Sequence, residues 1–336
     1  NLSDHQFQKR YKILMIDEIT VVVPYYNESH VIETCLEQIG QQTYSAKRAI
    51  FVNSSSTDDS SAVLDNWIKN NQHRFSTKFE NVFENTSNPG SSKNIGIQRA
   101  NTAWVAFMDC GQQFEPTWLD QQINFANQYK LDVSFGVVYL TGINWVDRCA
   151  CAQTYGYKRN RPCVPSTLVK KSIFEKTGLF LEGRRSGYDM AWRIKVAKLD
   201  IKSGVNEGVK IMYYGTNFAS NFSQIFVKSI LYARPALGID GYTVPYYYIS
   251  IFLLMSFALF IVPDAFIKLL YLYLLIRIFV TPIVKSGGVS FYKEHPFEAF
   301  LGLGIVGLSI DIGKVIGYFK GVKDFISNKK NFVRSK

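Results

Sequence analysis

Ile19 through Val23 form a β-branched run that stops at Pro24 and opens into Tyr25-Tyr26-Asn27-Glu28. An unbroken run of this kind fits a strand covered on both faces, hence a sheet flanked by helices. Pro24 lacks a donor for the next ladder bond and is expected to end the strand. Asn27 and Glu28 then fall just past the strand's carboxyl end, where open α/β sheets hold their ligands. The run alone predicts a crevice for a nucleotide or another small ligand.

Downstream, strand and helix signals alternate. His30–Gln41 places Val31, Cys35, Leu36 and Ile39 on one helical face. Ala49–Val52 reads as a second strand, Ser61–Asn70 as a helix, Lys78–Phe83 as a strand and Ser91–Ala100 as a helix. Trp104–Met108 follows as a buried strand, Pro116–Tyr129 as a helix, Val133–Leu140 as a strand and Ile173–Thr177 as a short helix stopped by Gly178. Such an order implies a largely parallel, doubly wound sheet.

Charge and cysteine usage narrow the partners. A net charge of +11 and a pI near 9.3 favour anionic partners. Lys and Arg are scattered through the first two thirds, which speaks against nucleic acid. The conspicuous basic cluster is Lys320, Lys323, Lys329, Lys330, Arg334 and Lys336, directly after an apolar region, and suits anionic membrane lipids. Five cysteines (Cys35, Cys110, Cys149, Cys151 and Cys163) have no paired zinc spacing and are expected to be free thiols in a reducing compartment. The first eighteen residues are polar and show no secretory h-region.

Beyond Asn221 the character changes. Phe222, Ile225, Phe226 and Ile230 share a helical face that fits an interfacial helix or one docked on the soluble core. Tyr246–Val262 is uncharged and long enough to span a bilayer with its flanks. Ala265–Val284 is a second candidate, containing Lys268 and Arg277, which must snorkel or pair. Phe297–Val322 is a third, interrupted by Glu298, Asp311 and Lys314. Gly313, Gly317 and Gly321 recur every four residues, either as a close-packing stripe or as a Gly-rich interfacial face. Two spans plus a surface-lying or re-entrant third segment return the basic tail to the catalytic side, as positive-inside bias prefers.

Five short blocks carry the chemistry, and their order and spacing resemble family 2 glycosyltransferases of the GT-A fold across residues 19–195. Pro24-Tyr25-Tyr26-Asn27-Glu28 is similar to that family's first loop, which contacts base and ribose; the same residues also read as a helix cap. Val52-Asn53-Ser54-Ser55-Ser56-Thr57-Asp58-Asp59 resembles Val-Asp-Asp-Gly-Ser-Thr-Asp, with Asn53, Ser54 and Ser55 departing from it; alone it is an ordinary Ser/Asp turn. In Asn88-Pro89-Gly90-Ser91-Ser92-Lys93-Asn94, Lys93 takes the place of an arginine near the diphosphate. Asp109-Cys110-Gly111 stands at the family's Asp-x-Asp, with Gly111 replacing the second carboxylate. Gly187-Tyr188-Asp189-Met190-Ala191-Trp192-Arg193 resembles the segment with the catalytic Asp, with Tyr188 replacing the Glu before it.

The resemblance implies an α/β GT-A domain over residues 19–221, after an extension at 1–18. An amphipathic linker (222–244), membrane helices (245–322) and a basic tail (323–336) complete the expected organisation. Asp189 is expected as general base and Asp109 as ligand to Mg²⁺ or Mn²⁺ bound with the donor. Pro24, Tyr25, Asn27, Glu28, Asn53, Ser55, Lys93 and Asn94 are expected around a nucleotide-sugar donor. Arg184, Arg185, Trp192 and Arg193 are expected toward a lipid-linked or glycan acceptor. The membrane-bound catalytic domain is expected to face the cytoplasm. A lapsed domain that binds sugar nucleotide or glycan without turnover is the alternative, suggested by Ser54, Gly111 and Tyr188.

Overall fold

A computed structural model describes residues 17–83, 88–213 and 221–327. Its strands are β1 (Ile19–Tyr25), β2 (Arg48–Asn53), β3 (Lys78–Phe83), β4 (Trp104–Phe107), β5 (Gln112–Gln113), β6 (Val133–Val138), β7 (Arg161–Lys170) and β8 (Ser203–Tyr213). They form one sheet in the order β3-β2-β1-β4-β7-β6-β8-β5. The pairs β1–β2, β1–β4, β2–β3 and β6–β8 are parallel, whereas β7 runs antiparallel between β4 and β6. The sheet is mixed and mostly parallel.

Every residue of β1 is buried, as the β-branched run requires. Val21 and Val23 enter one core cluster and Val22 the other, so the strand's two-residue period feeds both faces. The strand does not end at Pro24, which pairs with Val52 in register. Val22 O accepts from Met108 N on the β4 side, and Tyr25 O accepts from Ser54 N on the β2 side. Pro24 shares Val22's direction, and the β4 pairing ends at Val22↔Phe107. Its missing N–H therefore faces a side where the ladder has already stopped.

Helices α1 (Ile32–Gly40), α2 (Ser60–Asn71) and α4 (Trp118–Gln128) cover one face with Leu36, Ile39, Leu64, Trp67 and Trp118. Helices α3 (Pro89–Arg99), α6 (Ile173–Thr177) and α7 (Tyr188–Lys198) cover the other with Ile97, Phe174, Trp192 and Val196. The sequence did not announce β7. Pro162 and Pro165 disguise it, Ser166 has a left-handed φ of +76°, and its register with β6 shifts between Ser134 and Gly136.

The apolar third builds α8 (Phe222–Ala233), α9 (Val244–Ile261), α10 (Pro263–Ser286), the short α11 (Ser290–Glu294) and α12 (Leu303–Ser327). Three stretches are long and apolar enough to cross a membrane: Val244–Ile261, Pro263–Ser286 and Glu298–Asp324. The first two bury 11% of their apolar window and the third 50%, because α12 lies against α8 and the helix Trp145–Gln153. Phe260, at 81% exposure, and Tyr271, at 67%, typify the open surface of the α9–α10 hairpin.

The glycine stripe serves α8. A Cβ on Gly313 would stand 2.9 Å from Phe226 O, on Gly317 2.6 Å from Ile230 O, and on Gly321 2.4 Å from Arg234 O. The two helices meet main chain to main chain. The sequence residues that interrupted the spans are paired inside the chain. Arg277 Nε lies 2.9 Å from Asp311 Oδ2, Tyr248 and Tyr273 each donate to Asp311 at 2.9 Å, and Lys314 Nζ reaches Tyr248 Oη at 3.2 Å. Glu298 accepts from Arg148 Nε at 3.0 Å; Arg148 lies in α5 (Trp145–Gln153). Lys268 is exposed.

Replacing Gly317 by Leu is expected to overpack the α8–α12 seam at a cost of about 1–3 kcal/mol. Thermal melting of the full chain in neutral detergent checks this, with Gly288→Leu as the control, since a Cβ on Gly288 meets nothing within 4 Å.

Candidate active site

The loops after β1 and β2 are laced together. Asn27 adopts a left-handed φ of +56°, donates its N–H to Ser56 Oγ, and accepts from Thr57 N at 2.8 Å through Oδ1. Glu28 N donates to Ser60 Oγ at 2.8 Å, and Ser29 N to Asp58 Oδ2 at 3.2 Å. Asn53 is 3% exposed, and its Oδ1 accepts from Ser56 N at 2.7 Å. Ser55 also has a left-handed φ, +64°. Two of the expected donor residues are corrected here. Pro24 and Tyr25 are buried strand residues, and the Tyr25 hydroxyl donates to Asn81 Oδ1 at 2.8 Å. Tyr25 continues the face of Val21 and Val23, and Pro24 follows Val22 on the other.

Helix α3 supplies the next pair. Lys93 has no exposed surface, and its Nζ sits 2.6 Å from Asp109 Oδ1 and 5.7 Å from the Tyr188 ring centroid. A buried ammonium needs such a partner. Asn94, expected toward the donor, is instead a clamp and is corrected accordingly. Its Nδ2 donates to Phe180 O and Glu182 Oε1, and its Oδ1 accepts from Phe180 N. Both ends of the amide are occupied, and the residue is 1% exposed.

Asp109 keeps 31% of its side chain exposed in the loop after β4. Its N–H donates to Gln112 Oε1 at 3.3 Å, which shapes the loop after β4. A Cβ on Gly111 would stand 3.7 Å from Glu28 Oε2, so the place of the missing side chain is faced by another carboxylate. Burial, then the charges of Asp109 and Asp58, raise the Glu28 carboxyl to about 7.

Asp189 occupies the first turn of α7, after Gly187 with a left-handed φ of +80°. No motif announced the residue that relates it to Asp109. That residue is Cys163 on β7, whose thiol burial pushes up to about 12, with Asp109 and Asp189 both adding to the rise and Arg193 opposing it. Tyr155 is 44% exposed, and its backbone carbonyl accepts from Arg161 Nε at 2.6 Å.

The expected acceptor residues divide. Trp192 is 1% exposed, stacks on Phe174 and donates Nε1–H to Thr177 Oγ1, so it is a core residue and not an acceptor contact. It packs with Phe135, Phe174 and Phe180 in the core on that side of the sheet. Arg184 is also corrected: it is 5% exposed and donates to Pro235 O at 2.6 Å, fastening the loop to the segment after α8. Arg193 donates to Pro162 O and lies over Phe135 but stays partly open. Arg185 is exposed.

The model of the family described as glycosyl transferase family 2 matches residues 20–165, from β1 into β7. Residues 20–165 are a family 2 glycosyltransferase domain. An uncharacterized glycosyltransferase of Rickettsia bellii is 22% identical over 75% of this chain and 37% of its own length. A poly(ribitol-phosphate) beta-glucosyltransferase of Bacillus spizizenii is 29% identical over 38% of this chain and 20% of its own. A mannosyltransferase of Pyrobaculum calidifontis, solved with GDP-Man and Mn²⁺, shares the fold at a TM-score of 0.55 and 14% identity, covering 89% of this chain and 87% of that one. The chain spans about a third or less of the length of the first three curated relatives it matches.

Among the described residues, no group of three His, Cys, Asp or Glu side chains stands ready to hold a metal ion. The carboxylate set still fits a hard divalent cation that draws its other ligands from a diphosphate and water. Asp109 pairs with Lys93 through Oδ1, leaving Oδ2, and Glu28 faces the space beside Gly111.

Glu28 generates a pH prediction. Below its ordinary value of 4.5 the carboxyl is protonated in folded and unfolded chains alike. Between 4.5 and about 7 the unfolded chain releases that proton while the folded chain retains it, so stability falls as pH rises. The wild type should therefore lose melting temperature across this window relative to Glu28→Gln, and melts at a series of pH values check it.

Proposed function

We propose that the chain is a membrane-anchored, inverting glycosyltransferase that moves a sugar from a nucleotide-sugar donor to a lipid-linked or glycan acceptor. The observation that carries this reading is the family match over residues 20–165 together with the buried Lys93 paired with Asp109 after β4. The donor's diphosphate would lie at the mouth formed by Asp109, Glu28 and the loops bridged by Asn27 and Asn53. Asp109, with Glu28 beside it, would hold Mg²⁺ or Mn²⁺. Such an ion, when bound, neutralises charge on the departing nucleoside diphosphate.

This chain's own residues would do the rest. Asp189 takes the proton from the acceptor hydroxyl as its oxygen attacks the anomeric carbon. The nucleoside diphosphate leaves from the opposite side, which inverts the configuration. Lys93 holds Asp109 in place, and Asn94 fixes the loop leading to Asp189. Arg185 and Arg193 remain as acceptor-side cations, and the likeness to a poly(ribitol-phosphate) beta-glucosyltransferase supports a phosphate-bearing acceptor. In this reading residues 19–221 are catalytic, 245–322 anchor the chain, and the catalytic domain faces the cytoplasm.

Asp189→Asn is the test. General-base assistance is worth roughly 10²–10⁴-fold, so kcat should fall by that order while sugar-nucleotide binding persists. Transfer at the wild-type rate by a folded variant would remove Asp189 as base. The second reading, a lapsed transferase, is favoured by the complete burial of Lys93 beneath Tyr188. Binding of sugar nucleotide with no transfer or hydrolysis across a donor and acceptor panel would select it.

A further inference from the structure

Between the apolar hairpin and the cleft, the chain from Tyr155 to Arg161 lies across the carboxyl end of α10. Gly156 has a left-handed φ of +101°, and a Cβ on it would stand 2.2 Å from Lys285 O. Two guanidinium groups converge on that same oxygen, Arg159 Nη1 at 3.1 Å and Arg161 Nη2 at 2.8 Å. Arg159 Nη1 also donates to Val284 O, and Arg161 Nε donates to Tyr155 O, each at 2.6 Å. A guanidinium carries five donor hydrogens. These bonds leave Arg159 Nε and Nη2, and Arg161 Nη1, for another acceptor.

The ammonium of Lys285 adds a third positive charge at this helix end. Among the described residues, no carboxylate pairs with any of the three, whereas neighbouring Lys158 is matched by Glu294 at 2.6 Å. One guanidinium suffices to cap a helix end. Bringing a second to the same oxygen, beside a lysine, sets like charges together at a cost that an anion would reverse. Burial and then the Arg159 charge lower the Arg161 pKa, in keeping with that crowding.

The apolar surface says what carries the anion. Val280 and Val284, four residues apart on α10, are 51% and 64% exposed and lead along the hairpin directly to Lys285. A phosphate attached to a hydrocarbon chain fits both parts. Arg161 holds the Tyr155 carbonyl and opens β7, so the cluster stands where the apolar hairpin meets the sheet.

We propose that Arg159, Arg161 and Lys285 form a recognition site for a lipid-borne phosphate, placing the head of a lipid acceptor where the apolar hairpin meets the sheet. This rests on the transferase reading of the cleft. The phosphate belongs either to a lipid-linked acceptor or to the headgroup of an ordinary anionic membrane lipid, and the chemistry of recognition is the same.

The test uses the full chain in neutral detergent, titrated with farnesyl monophosphate by calorimetry, with sugar-nucleotide binding followed in parallel. Joint replacement Arg159→Gln and Arg161→Gln should weaken farnesyl monophosphate binding about tenfold or more, the loss expected for charge-assisted hydrogen bonds. Arg159→Lys with Arg161→Lys keeps both charges and should retain most of the binding, which guards against a folding effect. Inorganic phosphate should bind far more weakly than the farnesyl ester. Competition with phosphatidic acid assigns the source: displacement of the farnesyl ester marks a general headgroup site, and no displacement marks an acceptor site. Equal binding by the Gln variant and the wild type, with melting unchanged, would overturn the proposal. Failure of the wild type to bind any sugar nucleotide would instead sink the transferase reading, and the two failures are read in separate titrations.

Discussion

An ammonium group without exposed surface, Lys93 Nζ, is held 2.6 Å from Asp109, and the cleft is organised around the cost of burying that charge. The pair ties the start of α3 to the loop after β4. The next residue ties the same helix elsewhere, because Asn94 grips Phe180 and Glu182 ahead of α7. Two consecutive side chains therefore support the loops that carry Asp109 and Asp189. A shift in α3 would move both carboxylates together, which preserves their relation to one another.

The sheet was legible where one residue type dominated. Val21, Val22 and Val23 could belong only to a strand buried on both faces, and they do. Pro24 misled because the sequence shows a lost donor but not which neighbour that donor would have faced. The antiparallel β7 was hidden by two prolines, and its partners lie far away in the chain. The extent of α12 was readable, but the target of its glycines was not. Spacing reveals that a backbone can be approached, and only the fold reveals that α8 approaches it.

For the candidate site, Asn27 and Glu28 follow β1, Lys93 pairs with Asp109 after β4, and Asp189 opens α7, whereas Tyr25, Asn94, Arg184 and Trp192 are packing or clamping residues. Their burial follows from helix phase and strand alternation over the preceding residues, and a motif read by position alone ignores that phase. Cys163, Tyr155 and Arg161 carried no signal, since each becomes relevant only through a neighbour brought from another element.

The helix α12 joins the hairpin to the catalytic half. Asp311 gathers Tyr248, Tyr273 and Arg277 on one side, while Gln153 of α5 donates to the carbonyls of Arg277 and Leu303 on the other. The glycine stripe fills with main chain from α8, a segment synthesised well before α12. During translation α8 must wait, its seam open, while the whole hairpin emerges and turns back. Once closed, that seam offers no groove to a second molecule, so lateral association between copies in a bilayer is left to the hairpin's outer surface and the open face of α12 that carries Ile305, Leu308 and Ile312.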